Sequence, residues 1–203
     1  MTQTRKSSPD RKAEILATTL DLAFEVGPDH VTTGRIAARL GLSQPAIYKH
    51  FPKKEDIWHA AARTLCARIR NNTRAGMDPA VPPLDNVRHL VLGHLRLVTD
   101  TPALPELMVT RDPTGALTDA RRDIQAAVTG FRAALVDALT QARSAGHLRA
   151  DLLAEDAAIL VFGIIQSLVL RLIVTRNPAP LLDDGARLLA LQLALFENED
   201  APR

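Results

Sequence analysis

The chain has 203 residues, 46% hydrophobic, 24% charged and only 3% aromatic, an ordinary globular composition whose Ala, Leu and Arg content favours helices, since such side chains lose little freedom on entering them. Its one cysteine, Cys66, excludes an intrachain disulfide and fits a reducing compartment. The formal net charge is only +2, but 13 Lys and Arg face 7 Asp and Glu in residues 1–75 against 12 and 16 in the remainder, so the first third is the part suited to a polyanion.

Residues 1–10 read as a polar arm: basic side chains are present but no apolar run follows, so no signal peptide is expected. Helical periodicity starts near Arg11, places Ile15, Leu16, Leu20, Leu22, Ala23 and Phe24 on one side, and stops before Gly27-Pro28. A second, short helix is predicted from Thr33 to Leu40, with Thr32 as N-cap and Gly41 as the left-handed stop. A third is predicted from Gln44 to His50, with Ser43 as its cap and Pro45 in its first turn, where the missing N–H does no harm. Phe51-Pro52 closes it, and a fourth opens at Lys53-Lys54-Glu55-Asp56 and runs to about Arg74. After a Gly/Pro-rich loop at 76–83, further helices are predicted at about 84–99, 103–110, 115–144, 154–176 and 180–197. No segment reads as a strand and no internal repeat is found. The expected fold class is all-α: an arm at 1–10, a helix-turn-helix domain at 11–55, and a larger helical domain at 56–203.

The stretch from Val31 to Phe51 carries the chemistry. Two short helices joined by a tight turn must cross closely, and Ala37 is small where they touch. Ile36, Leu40, Leu42, Ile47 and Phe51 seal the corner and stiffen the third helix as a projecting rod. A rod of that kind fits the major groove of B-DNA, about 12 Å wide. Its exposed positions would be Gln44, Pro45, Ala46, Tyr48 and Lys49, with Ser43 before them and His50 near the end. Gln pairs bidentately with adenine, Lys reaches guanine or phosphate, and a small Ala approaches a thymine methyl. Tyr48, His50, Thr32, Thr33 and Lys54 are expected on phosphate oxygens, which position the rod while base contacts specify the sequence. Gly34 inside the second helix costs about 1 kcal/mol against Ala and is expected to let the sugar-phosphate backbone come close. On residue chemistry alone, a bland reading competes: Tyr48 as half-buried packing and the lysines as solvated surface.

The run Ile36-Ala37, Gly41-Leu42-Ser43, Ile47-Tyr48-Lys49-His50-Phe51-Pro52-Lys53-Lys54-Glu55 resembles the DNA-binding segment of the TetR (tetracycline-repressor) family, over about residues 11–62. The resemblance implies a three-helix DNA-binding domain, a larger helical ligand-binding domain, and homodimerisation through the last two long helices. It implies a cytoplasmic, ligand-responsive regulator, generally a repressor, with double-stranded palindromic operator DNA, a second copy and a small-molecule effector as partners. The alternative is a constitutive DNA-binding or nucleoid-associated protein whose body binds protein partners.

Residues 154–197 are apolar on more than one face and need partners on several sides, one of which a second subunit would supply. Ala157–Val174 is nearly all apolar, but Gln166, Ser167 and Arg171 interrupt it, so a buried or dimer-forming helix is expected and not a membrane span. His89, Arg96, Met108, Gln166 and Arg171 are candidate pocket residues, although Arg171 would serve equally as a partner for an acid at the surface. His89 and His94 are five apart and do not share a helix face, so no metal site is expected and no cofactor is implied. Cys66 and Trp58 read as core. No Gly-rich phosphate loop, Gly-x-Ser-x-Gly or His-Glu-x-x-His is present, so an enzyme is not expected.

Overall fold

The structure is a computed structural model that describes residues 7–109, 115 and 117–198. The described residues form helices without a named strand. The helices are α1 (Ser8–Val26), α2 (Thr33–Leu40), α3 (Gln44–Tyr48), α4 (Lys54–Ala75), α5 (Pro83–Asp100), α6 (Ala103–Val109), α7 (Thr118–Ser144), α8 (Ala154–Thr175) and α9 (Leu181–Phe196), with one 3-10 turn at Pro28–His30. Among the described residues, an isolated antiparallel bridge pairs Leu148 with Glu197.

The helices start and stop where the local chemistry dictates, with two departures. α1 begins at Ser8 rather than Arg11, because the Ser7 hydroxyl accepts the Asp10 N–H and Pro9 sits harmlessly in the first turn. Residues 8–10 of the expected arm are therefore helix, and residues 1–6 lie outside the described residues. α3 ends at Tyr48, leaving Lys49 and His50 in the turn that follows. At α2 the caps are those expected: Thr32 Oγ1 accepts the Arg35 N–H at 3.1 Å, and Gly41 closes the helix at φ +65°, a conformation L side chains rarely adopt.

The chain divides into two units. The first comprises residues 1–65 and Thr101–Ile124, more than the expected 11–55, because α6 packs on α1 and brings a later segment into the same body. Its core includes Ile15, Leu22, Val31, Ile36, Ile47 and Trp58, each at most 4% exposed. Arg39 clamps the rear of α2 to α1 through two bonds to the Glu25 carboxylate, 2.9 and 2.6 Å long, and this pairing holds Glu25 below the usual carboxylate range.

The second unit comprises Cys66–Asp100 and Gln125–Arg203. In it α5 packs on α9 and α8, and α8 on α9. Two small residues let these helices approach: a methyl at Gly93 would meet the Asn72 side chain, and one at Gly185 would meet Leu95. Asn72 Nδ2 in turn donates to the Leu90 carbonyl, 3.2 Å away, tying α4 to α5. The buried face of this unit is mainly aliphatic, with Phe131, Phe196, His94 and Asn86 among its exceptions. Cys66 is 2% exposed.

Candidate nucleic-acid interface

The third helix is only five residues long, too short to persist on its own, so its geometry is set by what it buries. Ile47 is fully buried and Phe51 is 6% exposed. Together they pin α3 and the following turn to the first unit. Burial of one such side chain contributes about 1.5–3 kcal/mol. Around this anchor the opposite side of α3 is open: Gln44, Pro45, Tyr48 and Lys49 are all exposed, Tyr48 by 42%. Ser43 is exposed and Ala46 half-buried. The expected capping bond from Ser43 is absent; its carbonyl accepts the Ala46 N–H instead, at 2.9 Å, while its hydroxyl makes no cap.

Thr32 is exposed and already holds the first turn of α2. Thr33 is different from its expected placement. It is 5% exposed, so it does not stand outward as a phosphate donor. As the first residue of α2 it turns its hydroxyl toward α3, where Gln44 Nε2 donates to it at 2.7 Å and Tyr48 Oη lies 3.3 Å away. The two side chains best suited to read or hold DNA are thus joined through one threonine oxygen.

The charged groups around the rod are largely uncommitted. Lys49, Lys53 and Lys54 have no acidic partner among the described residues. Lys54 and His50 are half-buried, and Lys49 is exposed. The start of α4 is partly satisfied from within, since the Asp56 carboxylate accepts the Lys53 N–H at 2.9 Å. His50 also borders a cleft of about 440 Å³ in the first unit, shared with Lys12, Phe51, Pro52, Asp56, His59, Arg63 and Asp123. Lys12 lies over the Phe51 ring at 5.7 Å, within the range of a cation–π contact. No described group of His, Cys, Asp or Glu has metal-binding geometry.

The residues expected to line a ligand pocket are mostly at the surface. His89, Arg96, Gln166 and Arg171 are all exposed, and Met108 is half-buried in the other unit. Arg171 forms an ion pair with Asp184 on α9, whose other oxygen takes Arg187 at 3.1 Å, so it serves the surface alternative. These two partners hold the Asp184 carboxyl below its ordinary range. The face of α8 and α9 around this cluster is apolar: Ile159, Leu160, Leu170, Val174, Leu191 and Leu195 are between 49% and 75% exposed. By length and composition α8 is apolar enough to cross a membrane, with a mean hydropathy of 2.4; in the fold it packs on α5 and α9 and presents Gln166, Ser167 and Arg171 on its exposed side.

Beside Asn86, which hydrogen-bonds the Asp78 backbone, the second unit buries another polar side chain that the periodicity does not mark as a pocket residue. His94, on α5, is 5% exposed and its Nδ1 has no hydrogen-bond partner. Its ring stacks on Phe131 at 4.6 Å, and Phe131 meets Phe162 at 6.4 Å. Burial alone pushes the imidazole down to about 4, so it is neutral at physiological pH.

Residues 15–61 match the sequence profile of the family described as bacterial regulatory proteins, tetR family. The chain is 26% identical to the HTH-type transcriptional regulator TtgR of Pseudomonas putida, over 90% of its own length and 89% of TtgR. It is 34% identical to the tetracycline repressor protein class A from transposon 1721 of Escherichia coli over 82 residues, which cover 40% of this chain and only 35% of that repressor. Among solved structures, the ketosteroid transcriptional regulator KstR2 of Mycobacterium tuberculosis shares the fold with a TM-score of 0.74 and 22% identity, over 97% of this chain and 98% of that one.

Proposed function

We propose that this chain, whose residues 15–61 match the profile of the tetR family of bacterial regulatory proteins, is a ligand-responsive repressor of transcription, acting in the cytoplasm, that binds a palindromic operator as a homodimer. The observation that carries the DNA reading is the exposed row Gln44, Pro45, Tyr48, Lys49 on a helix locked from beneath by Ile47. A rigid rod with a Gln, a Tyr and a Lys on its outer face offers base-edge and phosphate contacts together. Thr32, Lys54 and His50 flank it as further phosphate contacts. Gln44, with Ala46 and Pro45 beside it, faces the base edges.

The second copy is proposed to join through the apolar face of α8 and α9. Each protomer then supplies one rod, and the two half-sites fall about 34–36 Å apart, or a multiple of that. The effector is proposed to bind within the second unit against His94 and its aromatic neighbours. A neutral, unpartnered imidazole in an aliphatic and aromatic setting suits an apolar molecule carrying a single hydrogen-bonding group. DNA and effector would favour different states of the protein, so each lowers the affinity for the other. Helices α4 and α7 both contribute residues to both units, and α4, which follows the rod in the chain, is our choice for the element that carries this coupling.

The test is selection of randomised duplexes by the purified protein, followed by anisotropy titration of the selected sequence with and without candidate apolar ligands. A selected palindrome whose affinity falls when a ligand saturates supports the reading. Failure to retain any duplex at low ionic strength overturns it, and a selected duplex whose affinity no ligand alters leaves a constitutive binder in its place.

A further inference from the structure

We propose that Thr33 is a positioning residue that fixes the hydrogen-bonding sense of Gln44 and Tyr48 together, so that the operator base facing Gln44 is read as adenine and guanine is rejected. The inference rests on the DNA reading above and adds to it a residue that need not touch DNA.

The argument follows from counting donors and acceptors. A threonine hydroxyl has one hydrogen to give and two lone pairs to receive with. Thr33 Oγ1 is nearly removed from solvent, and its neighbours are Gln44 Nε2 at 2.7 Å and Tyr48 Oη at 3.3 Å. When the Thr33 hydrogen stays within the cluster, the three groups can be polarised in two ways. In one, Gln44 donates to Thr33, Thr33 donates to Tyr48, and the tyrosine hydrogen points outward. In the other, the amide is turned over, Tyr48 donates to Thr33, Thr33 donates to Gln44 Oε1, and the tyrosine shows only lone pairs to the outside.

DNA distinguishes these states. A phosphate oxygen accepts hydrogen bonds and donates none, so a phosphate at the exposed Tyr48 hydroxyl stabilises the first polarity and opposes the second. The first polarity is also the one the structure shows for Gln44. It leaves Gln44 with Oε1 and one N–H directed outward, an acceptor beside a donor. That pair complements the N6 amine and N7 of adenine. The turned-over amide would instead present two N–H donors, which suit the O6 and N7 acceptors of guanine. The phosphate contact of Tyr48 and the base preference of Gln44 are therefore linked through one buried hydroxyl.

The experiment is a comparison of operator preferences. Selection with the wild-type chain and with Gln44→Ala identifies the operator position that Gln44 reads, as the one position where preference relaxes. Affinities are then measured for operators carrying adenine or guanine there. The wild type is expected to favour adenine about tenfold or more. Thr33→Val, close in shape but without the hydroxyl, is expected to bring the two bases within about threefold, and Thr33→Ser to restore the preference. Tyr48→Phe is expected to relax it at the same position, since Thr33 is then free to donate to Gln44 Oε1. This second arm holds even if Thr33→Val fails to fold. Guanine favoured by the wild type, an unchanged adenine preference in Tyr48→Phe, or a uniform loss of affinity in Thr33→Val with preference intact each overturn the proposal. A wild-type chain that retains no duplex at all overturns the DNA reading itself, a distinguishable result.

Discussion

His94 is neutral in the folded chain because water is kept from its ring and no acid offsets the cost of charging it. The unfolded chain has no such restriction and takes up its proton near the ordinary value of 6.5, against about 4 when folded. Between those values the unfolded state binds more protons, so folding stability contributed by this site is complete above about pH 6.5 and is lost as pH falls toward 4. The full loss is about 3 kcal/mol. His94→Phe removes the titrating group and keeps a ring against Phe131. Thermal unfolding of this variant and the wild type at pH 7.5 and pH 5 is expected to show the difference in Tm shifting toward the variant at the lower pH; an equal difference at both would refute the assignment. At the proposed DNA face, Lys54→Ala takes away an unpartnered cation. Its expected effect is a nearly uniform loss of affinity across duplexes, with the slope of log affinity against log salt reduced by about 1.

At the scale of helices, the same chemical change should have opposite signs at two glycines. Gly130 lies within α7, with nothing within 4 Å of an added methyl, so Gly130→Ala gains helix propensity of about 0.5–1 kcal/mol. Gly185 lies within α9 with Leu95 pressed into the space an added methyl would take, and Leu95 is fully buried. There the same gain is outweighed by overpacking, which costs about 1–3 kcal/mol. Differential scanning calorimetry is expected to show Tm rising by about 2–4 °C for the first and falling by a comparable amount for the second. Such contrasts explain what was legible beforehand. Helix ends were readable because Gly27-Pro28, Gly41 and Asn177-Pro178 act locally, through backbone conformations that neighbours do not change. The burial of Thr33, the exposure of Gln166 and the isolation of His94 were not readable in the same way. Each depends on which neighbouring helix covers a given face, and periodicity names a face without naming its cover. Arg171 shows the point: its surface pairing is with Asp184, which the packing of α9 on α8 brings beside it.

For the whole molecule, the feature that asks for a partner is the outer face of α8 and α9. Six large aliphatic side chains on these two helices are half or more exposed, or close to it, while Arg171, Asp184 and Arg187 form an ion-paired cluster on the same elements. An apolar patch with a polar margin has the composition of an interface. A twofold contact would place each helix against its own copy's surface and use every exposed residue twice. A single rod holds one half-site, whereas two linked rods turn the second contact into an intramolecular step worth about a hundredfold or more in affinity. Leu170 and Val174 are 63% and 75% exposed, so glutamate at either position has ample solvent in an isolated protomer but places carboxylates in a dry contact in the pair. The double variant Leu170→Glu/Val174→Glu is therefore expected to keep its helical circular dichroism, to sediment as a monomer, and to lose about a hundredfold in affinity for a full operator. Its affinity for an isolated half-site should stay near that of a wild-type protomer. A variant that still sediments as a dimer would move the interface to another face of the chain, and a monomer that holds the full operator undiminished would show that dimerisation contributes nothing to DNA binding.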